Sequence, residues 1–398
     1  MDIRIYPRKL TGTITMIPSK SQAHRLLICA AFSDTPTTLI CPETNQDIEA
    51  TAACLRSLGA YITRTEDGYQ VVPVKVLPRN AVLNCNESGS TLRFMLPIAG
   101  ALGEDTIFEM SGRLPYRPLS PLWEEMERMG CQLTRPTENT IHIKGKLRAG
   151  EYSIGGSVSS QFVTGLLYAA ALMDGNTHIH VTGKLESRPY VEMTQQALEI
   201  FGVDSHNFNV IGSRPFRSPG KLAVEGDWSN GAFFLAAQKL GSDISVAGLD
   251  PDSSQGDRKC AELLDKLSDR TVVDAADIPD LVPILAVTAG ALSGATFQNI
   301  ARLRLKESDR VATVAAMIES LGGKTKISEN EMQVFPGKYR SCTIDAAGDH
   351  RIAMAAAIAA TVADGPVTIL GAQCVAKSYP TFWEEYKKLG GSYEQYIR

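Results

Sequence analysis

Lys306-Glu307-Ser308-Asp309-Arg310 is the most densely charged stretch of the chain, and it opens the apolar run VATVAAMIESLGG. Two readings fit it. Either Ser308 or Glu307 caps a helix there, or Lys306, Glu307 and Arg310 face a ligand. Asp280, in DIPDLVPIL, poses the same choice, because it also stands at the start of an apolar helix. Asp280 and Glu307 would supply two carboxylates for proton transfer among many cations. The cations are Lys20, Arg25, Arg93, Arg117, Arg310, Arg351 and Lys377. Lys20 and Arg25 flank the start of an apolar helix, Arg93 lies inside STLRFMLPIAG, and Arg351 begins RIAMAAAIAA. Arginine is costly to bury unless paired. A surface ion pair explains any one of these residues as well as a ligand does. The set is better explained by a substrate carrying phosphate or carboxylate, which guanidinium forks match bidentately.

A repeat positions these residues. Six times a small polar cluster opens an Ala-rich apolar helix: SKSQAHRLLICAAF from Ser19, SGSTLRFMLPIAGAL from Ser88, GSVSSQFVTGLLYAAAL from Gly156, GDWSNGAFFLAA from Gly226, DIPDLVPILAVTAGAL from Asp277 and GDHRIAMAAAIAA from Gly348. The copies lie about 70 residues apart, with one shorter step, so each has the size of a supersecondary unit. A second, amphipathic helix follows, as in IEATAACLRSLGAY, PLWEEMERMGCQL and DRVATVAAMIESLGGK, usually stopping at Gly. Short alternating runs such as YQVVPV, NTIHIKG and EMQVFPG then read as strands. The fold class is therefore α/β, with two similar domains of three βαβαββ units each. The apolar helix of each unit is buried, the amphipathic one lies outside, and sheets surround them. The fourth copy, GDRKCAELLDKLSDR in its second helix, is the weakest match. Helix starts carry free N–H groups and the positive dipole end, so several of them facing one pocket would make an anion site.

Composition narrows the function classes. At 398 residues the chain exceeds what one core usually serves. Net charge is −4, from 40 basic and 44 acidic side chains, which disfavours a nucleic-acid or membrane-surface partner. Eight cysteines stand singly with no CxxC pair, so a zinc ribbon or thioredoxin motif is not expected. No secretory leader and no apolar span is visible. A soluble, cytoplasmic monomer is the default.

PSKSQAHR, SGSTLRF, YRPLSPL, GSVSSQF, SRPY, VEGD, IPD, LKESDR, GDHRIAM and AKSYP run in that order from residue 18 to 380. They resemble the signature segments of the EPSP synthases, the 3-phosphoshikimate 1-carboxyvinyltransferases. The resemblance implies residues of roughly 1–13 and 225–398 in one domain and about 14–224 in the other. It places the site in the cleft between them, closing on the first substrate. The implied reaction moves the enolpyruvyl group of phosphoenolpyruvate to the 5-hydroxyl of shikimate 3-phosphate, in the pathway to chorismate and the aromatic amino acids, with no metal or organic cofactor. By the same resemblance Lys20, Ser21, Arg25, Ser159, Ser160, Gln161, Ser187, Asp280 and Lys306 meet shikimate 3-phosphate. Lys20, Gly89, Arg117, Gln161, Arg310, Arg351 and Lys377 meet phosphoenolpyruvate. Asp280 is the base, Glu307 the partner acid, and Lys20 a third catalytic group. Two departures stand out. Glu87-Ser88-Gly89-Ser90 replaces the Asn-led segment common in the family, and Arg302 stands where some members have an Asn.

Two alternatives share the fold. A UDP-N-acetylglucosamine enolpyruvyl transferase would carry a Cys in the loop that reads MSGRLPYRP here. A non-catalytic anion-binding protein would have lost Asp280 or Glu307. LGGKT lacks the first Gly of a phosphate loop, with Ile318 in that position, and reads as a helix stop before a strand. His178 and His180 alternate in NTHIH without a neighbouring carboxylate or Cys, so they read as surface residues and no metal site is expected. His350 either orients Arg351 or touches substrate.

Overall fold

The structure is a computed structural model that describes residues 1–213, 216–269 and 271–396. The chain divides into two compact units, Pro18–Val224 and Met1–Ile17 with Glu225–Arg398. The break expected after residue 13 would cut the strand Thr11–Thr15, all five residues of which pair in parallel with Asp243–Ala247. The observed break comes after Ile17, once that pairing is complete.

In the unit Pro18–Val224 the helices are α1 (Lys20–Ala31), α2 (Gln46–Ser57), α3 (Gly89–Leu102), α4 (Leu122–Arg128), α5 (Ser160–Leu172) and α6 (Arg188–Ile200). Residues 81–145 show the repeat in full: Ala81–Asn84, α3, Thr106–Glu109, α4, then the hairpin Cys131–Thr137 and Thr140–Gly145. Parallel pairing joins the first two strands and antiparallel pairing the rest. The other two repeats exchange a strand. Lys221–Ala223, at the end of the unit, pairs in parallel with Thr37–Ile40 and completes the first repeat's four-stranded sheet. Among the described residues the third repeat is left with the three strands Glu151–Gly155, Asn176–Thr182 and Asn209–Ile211.

Helices α1, α3 and α5 are the apolar members and are buried along nearly their whole length, whereas α2, α4 and α6 keep a wet face. Gly165 lets α5 press onto α3, since a Cβ there would overlap the Arg93 carbonyl oxygen. A layer of helices enclosed by sheets thus needs one small residue where two backbones meet.

The other unit repeats the plan with α7 (Trp228–Lys239), α8 (Cys260–Lys266), α9 (Val282–Ala291), α10 (Arg310–Ser320), α11 (His350–Ala360) and α12 (Phe382–Lys388). Every residue of α11 is buried, as are nearly all of α9. Residues 271–335 form a complete repeat with the same strand order as 81–145. The last repeat borrows its fourth strand: Asp2–Tyr6 lies between Val367–Leu370 and Ser392–Tyr396, antiparallel to both. The weak fourth copy has two strands, Thr11–Thr15 and Asp243–Ala247, among the described residues. LGGKT behaves as read, with Gly322 in the left-handed region at φ 88° just past α10 and the strand Lys324–Ile327 following.

Candidate active site

In the unit that holds residues 225–398, three helix starts carry the charges. Asp309, rather than Ser308 or Glu307, caps α10, its carboxylate accepting from the Val311 and Ala312 amides at 3.1 Å each. That places Arg310 at the first helical position with its side chain only 1% exposed. The guanidinium donates Nη1 to Asp280 Oδ1 at 2.6 Å, Nη2 to Glu307 Oε2 at 2.8 Å and Nε to Asp349 Oδ2 at 2.8 Å. Asp280 is therefore not a cap. Leu281 occupies that position before α9, and the Asp280 carboxylate instead accepts from Arg310 and, at 2.8 Å, from Arg351 Nη2. Arg351 also donates to Ser229 Oγ near the start of α7 at 3.1 Å. One network thus draws together the starts of α7, α9, α10 and α11.

The exposures separate the three carboxylates. Asp349 is 0% exposed, while Asp280 and Glu307 keep 20% and 15%. Asp349 also accepts from Ser308 Oγ at 3.0 Å and from the Arg351 amide at 3.0 Å. It is a positioning residue, whereas Asp280 and Glu307 remain reachable. Burial alone would raise the Asp280 carboxyl, but Arg351, Lys306 and Arg310 outweigh it and hold the group well below the usual carboxylate range. Lys306 Nζ lies 3.8 Å from Asp280 Oδ1. Burial pulls its ammonium down to about 8, against the pull of Asp280 and with a further push from Arg302 and Arg310. Arg302, one of the two departures from the family pattern, therefore acts on Lys306 through charge. Lys377 ends the short helical turn Ala372–Lys377 and is buried, as is His350, the first residue of α11.

In the unit Pro18–Val224 a chain of side-chain hydrogen bonds ties α1 and α2 to the start of α3. His24 Nδ1 meets Thr51 Oγ1 at 2.7 Å, Thr51 meets Thr91 Oγ1 at 2.7 Å, and Thr91 donates to the α3 cap Ser88 at 2.8 Å. Burial drives the His24 imidazole down to about 3, so it is neutral and serves this chain as an uncharged partner. Lys20, first residue of α1, pairs with Asp47 in the first turn of α2 at 3.1 Å. Gly89 opens α3 beneath two guanidiniums: an added Cβ would stand 2.6 Å from Arg117 Nη1 and 2.7 Å from Arg93 Nη1. Gln161, near the start of α5, accepts from Arg93 Nη1 at 3.0 Å and donates to Ser90 Oγ at 2.9 Å. Ser159 caps α5, and Ser160 is buried as its first residue. Ser187, in the left-handed region at φ 54°, is the buried residue before α6.

Arg25 is engaged within its own unit. Its side chain lies inside the protein, with Nε donating to Thr194 Oγ1 at 2.9 Å, Nη1 to the Ser21 carbonyl at 2.6 Å and Nη2 to the Tyr190 carbonyl at 2.7 Å, while its guanidinium stacks over Phe94. It joins α1 to α6, and Ser21 takes part through its backbone. Asp349, Asp47 and Ser229 were not singled out by the sequence reading. Asp349 had one signal, an Asp directly before an apolar run, but that signal says only that it caps.

Residues 6–276 and 268–386 match the EPSP synthase (3-phosphoshikimate 1-carboxyvinyltransferase) family. The 3-phosphoshikimate 1-carboxyvinyltransferase of Clostridium kluyveri is 36% identical to this chain over 424 aligned positions, covering 99% of the chain and 98% of the relative. That of Clostridium beijerinckii is 35% identical and covers 99% of each. Among solved structures, an EPSP synthase from Acinetobacter baumannii superimposes with a TM-score of 0.80 over 100% of both chains at 20% identity, a likeness of fold. With a family match across both units and full-length relatives above a third identical, the chain belongs to the EPSP synthase family of transferases.

Proposed function

We propose that this chain transfers the enolpyruvyl group of phosphoenolpyruvate to the 5-hydroxyl of shikimate 3-phosphate and releases phosphate. The observation that carries this reading is the Asp280–Arg310–Glu307 arrangement, two reachable carboxylates held on one buried guanidinium. The family match supplies the substrates. Glu307 gives a proton to the vinyl CH2, the hydroxyl oxygen bonds to the adjacent carbon, and Asp280 takes the hydroxyl proton. In the second step the Glu307 carboxylate takes a proton back from the new methyl group, the double bond reforms, the carbon–oxygen bond to phosphate breaks with its electron pair leaving on the phosphate oxygen, and Asp280 gives its proton to the departing phosphate. Asp280 suits the first step because its cationic neighbours keep it ionised at neutral pH. Arg310, Arg351 and Lys377 are assigned to phosphoenolpyruvate. On the other unit, Lys20, Arg117, Gly89 and Gln161 share that role, while Lys20, Ser21, Arg25, Ser159, Ser160, Gln161 and Ser187 join Asp280 and Lys306 in holding shikimate 3-phosphate. Fixed cations of this kind stabilise developing negative charge without reorganising.

Neither metal nor organic cofactor enters these steps. Residence in the cytoplasm as a monomer, with both units acting on one substrate pair, belongs to the same proposal; no helix among the described residues is long and apolar enough to cross a membrane. The fold itself does not choose the acceptor, because such folds host several chemistries. The deciding experiment is phosphate release from phosphoenolpyruvate with shikimate 3-phosphate or UDP-N-acetylglucosamine as acceptor. Turnover with the first alone is expected; turnover with the second alone would replace this reading.

Lys306 gives a pH dependence. Its pKa is lowered from the ordinary value to about 8, so the cation is present below that pH and lost above it. The kcat/KM for shikimate 3-phosphate should therefore fall as pH rises through about 8. Lys306→Arg, which stays charged, should shift that falling limb upward. An unmoved limb in the Arg variant would remove Lys306 from phosphate binding.

A further inference from the structure

The sheet Glu151–Gly155/Asn176–Thr182/Asn209–Ile211 alternates buried and solvent-facing residues, and its wet face gathers Glu151, His178 and His180. The sequence shows only two histidines sharing a strand face. The parallel register sets Glu151 opposite His178, and its carboxylate reaches diagonally to His180, with Oε2 2.6 Å from Nε2. The two imidazole rings stand edge to face with centroids 4.1 Å apart. One ligand atom from each of the three residues lies within 4.8 Å of the others, the one such group of possible metal ligands among the described residues.

The third strand sets the proton inventory. His178 Nδ1 lies 2.7 Å from Asn209 Oδ1. The Asn209 amide nitrogen donates to the Asn207 carbonyl at 3.3 Å, which fixes the oxygen toward the histidine. An oxygen can only accept, so His178 Nδ1 carries the proton and its Nε2 keeps a lone pair. This is the usual arrangement of a metal-ligating histidine, whose other nitrogen is oriented by an outer partner. The cation nearby is already engaged: Arg128 donates to the Glu125 carboxylate and to the Glu151 backbone carbonyl, leaving the Glu151 carboxylate to His180. An exposed His–Glu pair by itself contributes little. It does not account for the second ring beside it or for the Asn that fixes that ring's tautomer.

We propose that Glu151, His178 and His180 bind a divalent transition cation of the zinc class, with Asn209 as the positioning residue for His178. Two imidazoles and a carboxylate are borderline ligands that suit Zn2+, Co2+ or Ni2+ rather than Mg2+ or Ca2+. In a tetrahedral site with bonds of about 2.0–2.1 Å the ligand atoms stand roughly 3.3 Å apart, so small side-chain rotations close the set around an ion. The ion replaces the proton shared by His180 and Glu151, and water completes its coordination. Because the three ligands come from two strands and Asn209 from a third, the bound ion clamps this sheet. This inference is independent of the transferase reading.

The test is equilibrium dialysis of the tag-free, metal-stripped full chain against Zn2+, with Co2+ absorption as the spectroscopic probe. One Zn2+ per chain is expected, together with the ligand-field bands of low-coordinate Co2+ and a rise in unfolding temperature on adding Zn2+. His178→Ala and His180→Ala should each weaken binding at least about tenfold, and Asn209→Leu, which removes no ligand, about 10–100-fold. The metal-free unfolding temperatures of these variants should match the parent, showing that the fold is intact. No Zn2+ bound at millimolar concentration, or undiminished binding in the His178→Ala/His180→Ala double variant, would overturn the site.

Discussion

Asp280→Asn should lower the turnover of shikimate 3-phosphate and phosphoenolpyruvate by about 10²–10⁴-fold, the range for loss of a positioned general base. The amide keeps the shape, but its single oxygen can accept from only one of Arg310 and Arg351, which bond separate carboxylate oxygens, and it cannot take the hydroxyl proton. The fold should survive, because Arg310 retains Glu307 and Asp349. The division between kcat and KM separates catalysis from scaffolding. If Asp280 is the base, kcat falls while KM for phosphoenolpyruvate stays level or drops, since a negative charge has left an anion site. If Asp280 only aims the two guanidiniums, KM rises and kcat is spared. Phosphate-release kinetics at saturating shikimate 3-phosphate read both quantities, and a kcat within fivefold of the parent would remove Asp280 from proton transfer.

Asp349→Ala should be the most destabilising single change in this network, costing about 3–5 kcal/mol, the range for removing one partner of a buried ion pair. Arg310 would then hold its Nε–H in the interior without an acceptor, Ser308 would keep only Thr313, and α11 would lose its cap. The cap alone accounts for only about 1 kcal/mol of this. Urea unfolding of the full chain, followed by tryptophan fluorescence, gives the measurement. Trp228 and Trp383 lie in the unit that holds Asp349 and Trp123 in the other, so the transition of the first should move while that of the second stays. A shift below about 1 kcal/mol would mean that Asp349 does no more than cap.

How much of this could be read from the residues depends on range. The apolar helices were legible because burial on all sides leaves no polar face: RIAMAAAIAA could hardly be anything but an inside helix, and every residue of α11 is buried. Arg351 and Arg310 were legible as anomalies for the same reason. The partners that settle what an anomaly does come from other repeats and were not. Asp349 reads locally as a cap, which it also is, and nothing near it in sequence shows the guanidinium of Arg310 arriving from another helix. Arg25 reads like Arg351, a cation in an apolar helix, yet its acceptors are Thr194 and the Tyr190 carbonyl on α6. His178 and His180 lacked a carboxylate until strand register brought Glu151 alongside. Asp309 could not be told from Ser308 as the cap, since both are good N-cap types one residue apart.

The strand Asp2–Tyr6 sits between two strands from the far end of the chain, with Ile3 opposite both Ile369 and Gln395. During synthesis, residues 2–6 must wait unpaired until residues 367–396 have been made. Residues 18–224 can meanwhile close on themselves, so translation imposes an order in which the second-encoded unit folds first. Contacts of such long sequence separation are slow to form, and a nascent chain stalled short of residue 392 would expose an unsatisfied sheet edge along residues 2–6. Quality control that recognises open edges would therefore discard truncated products before any carboxylate cluster had a chance to work.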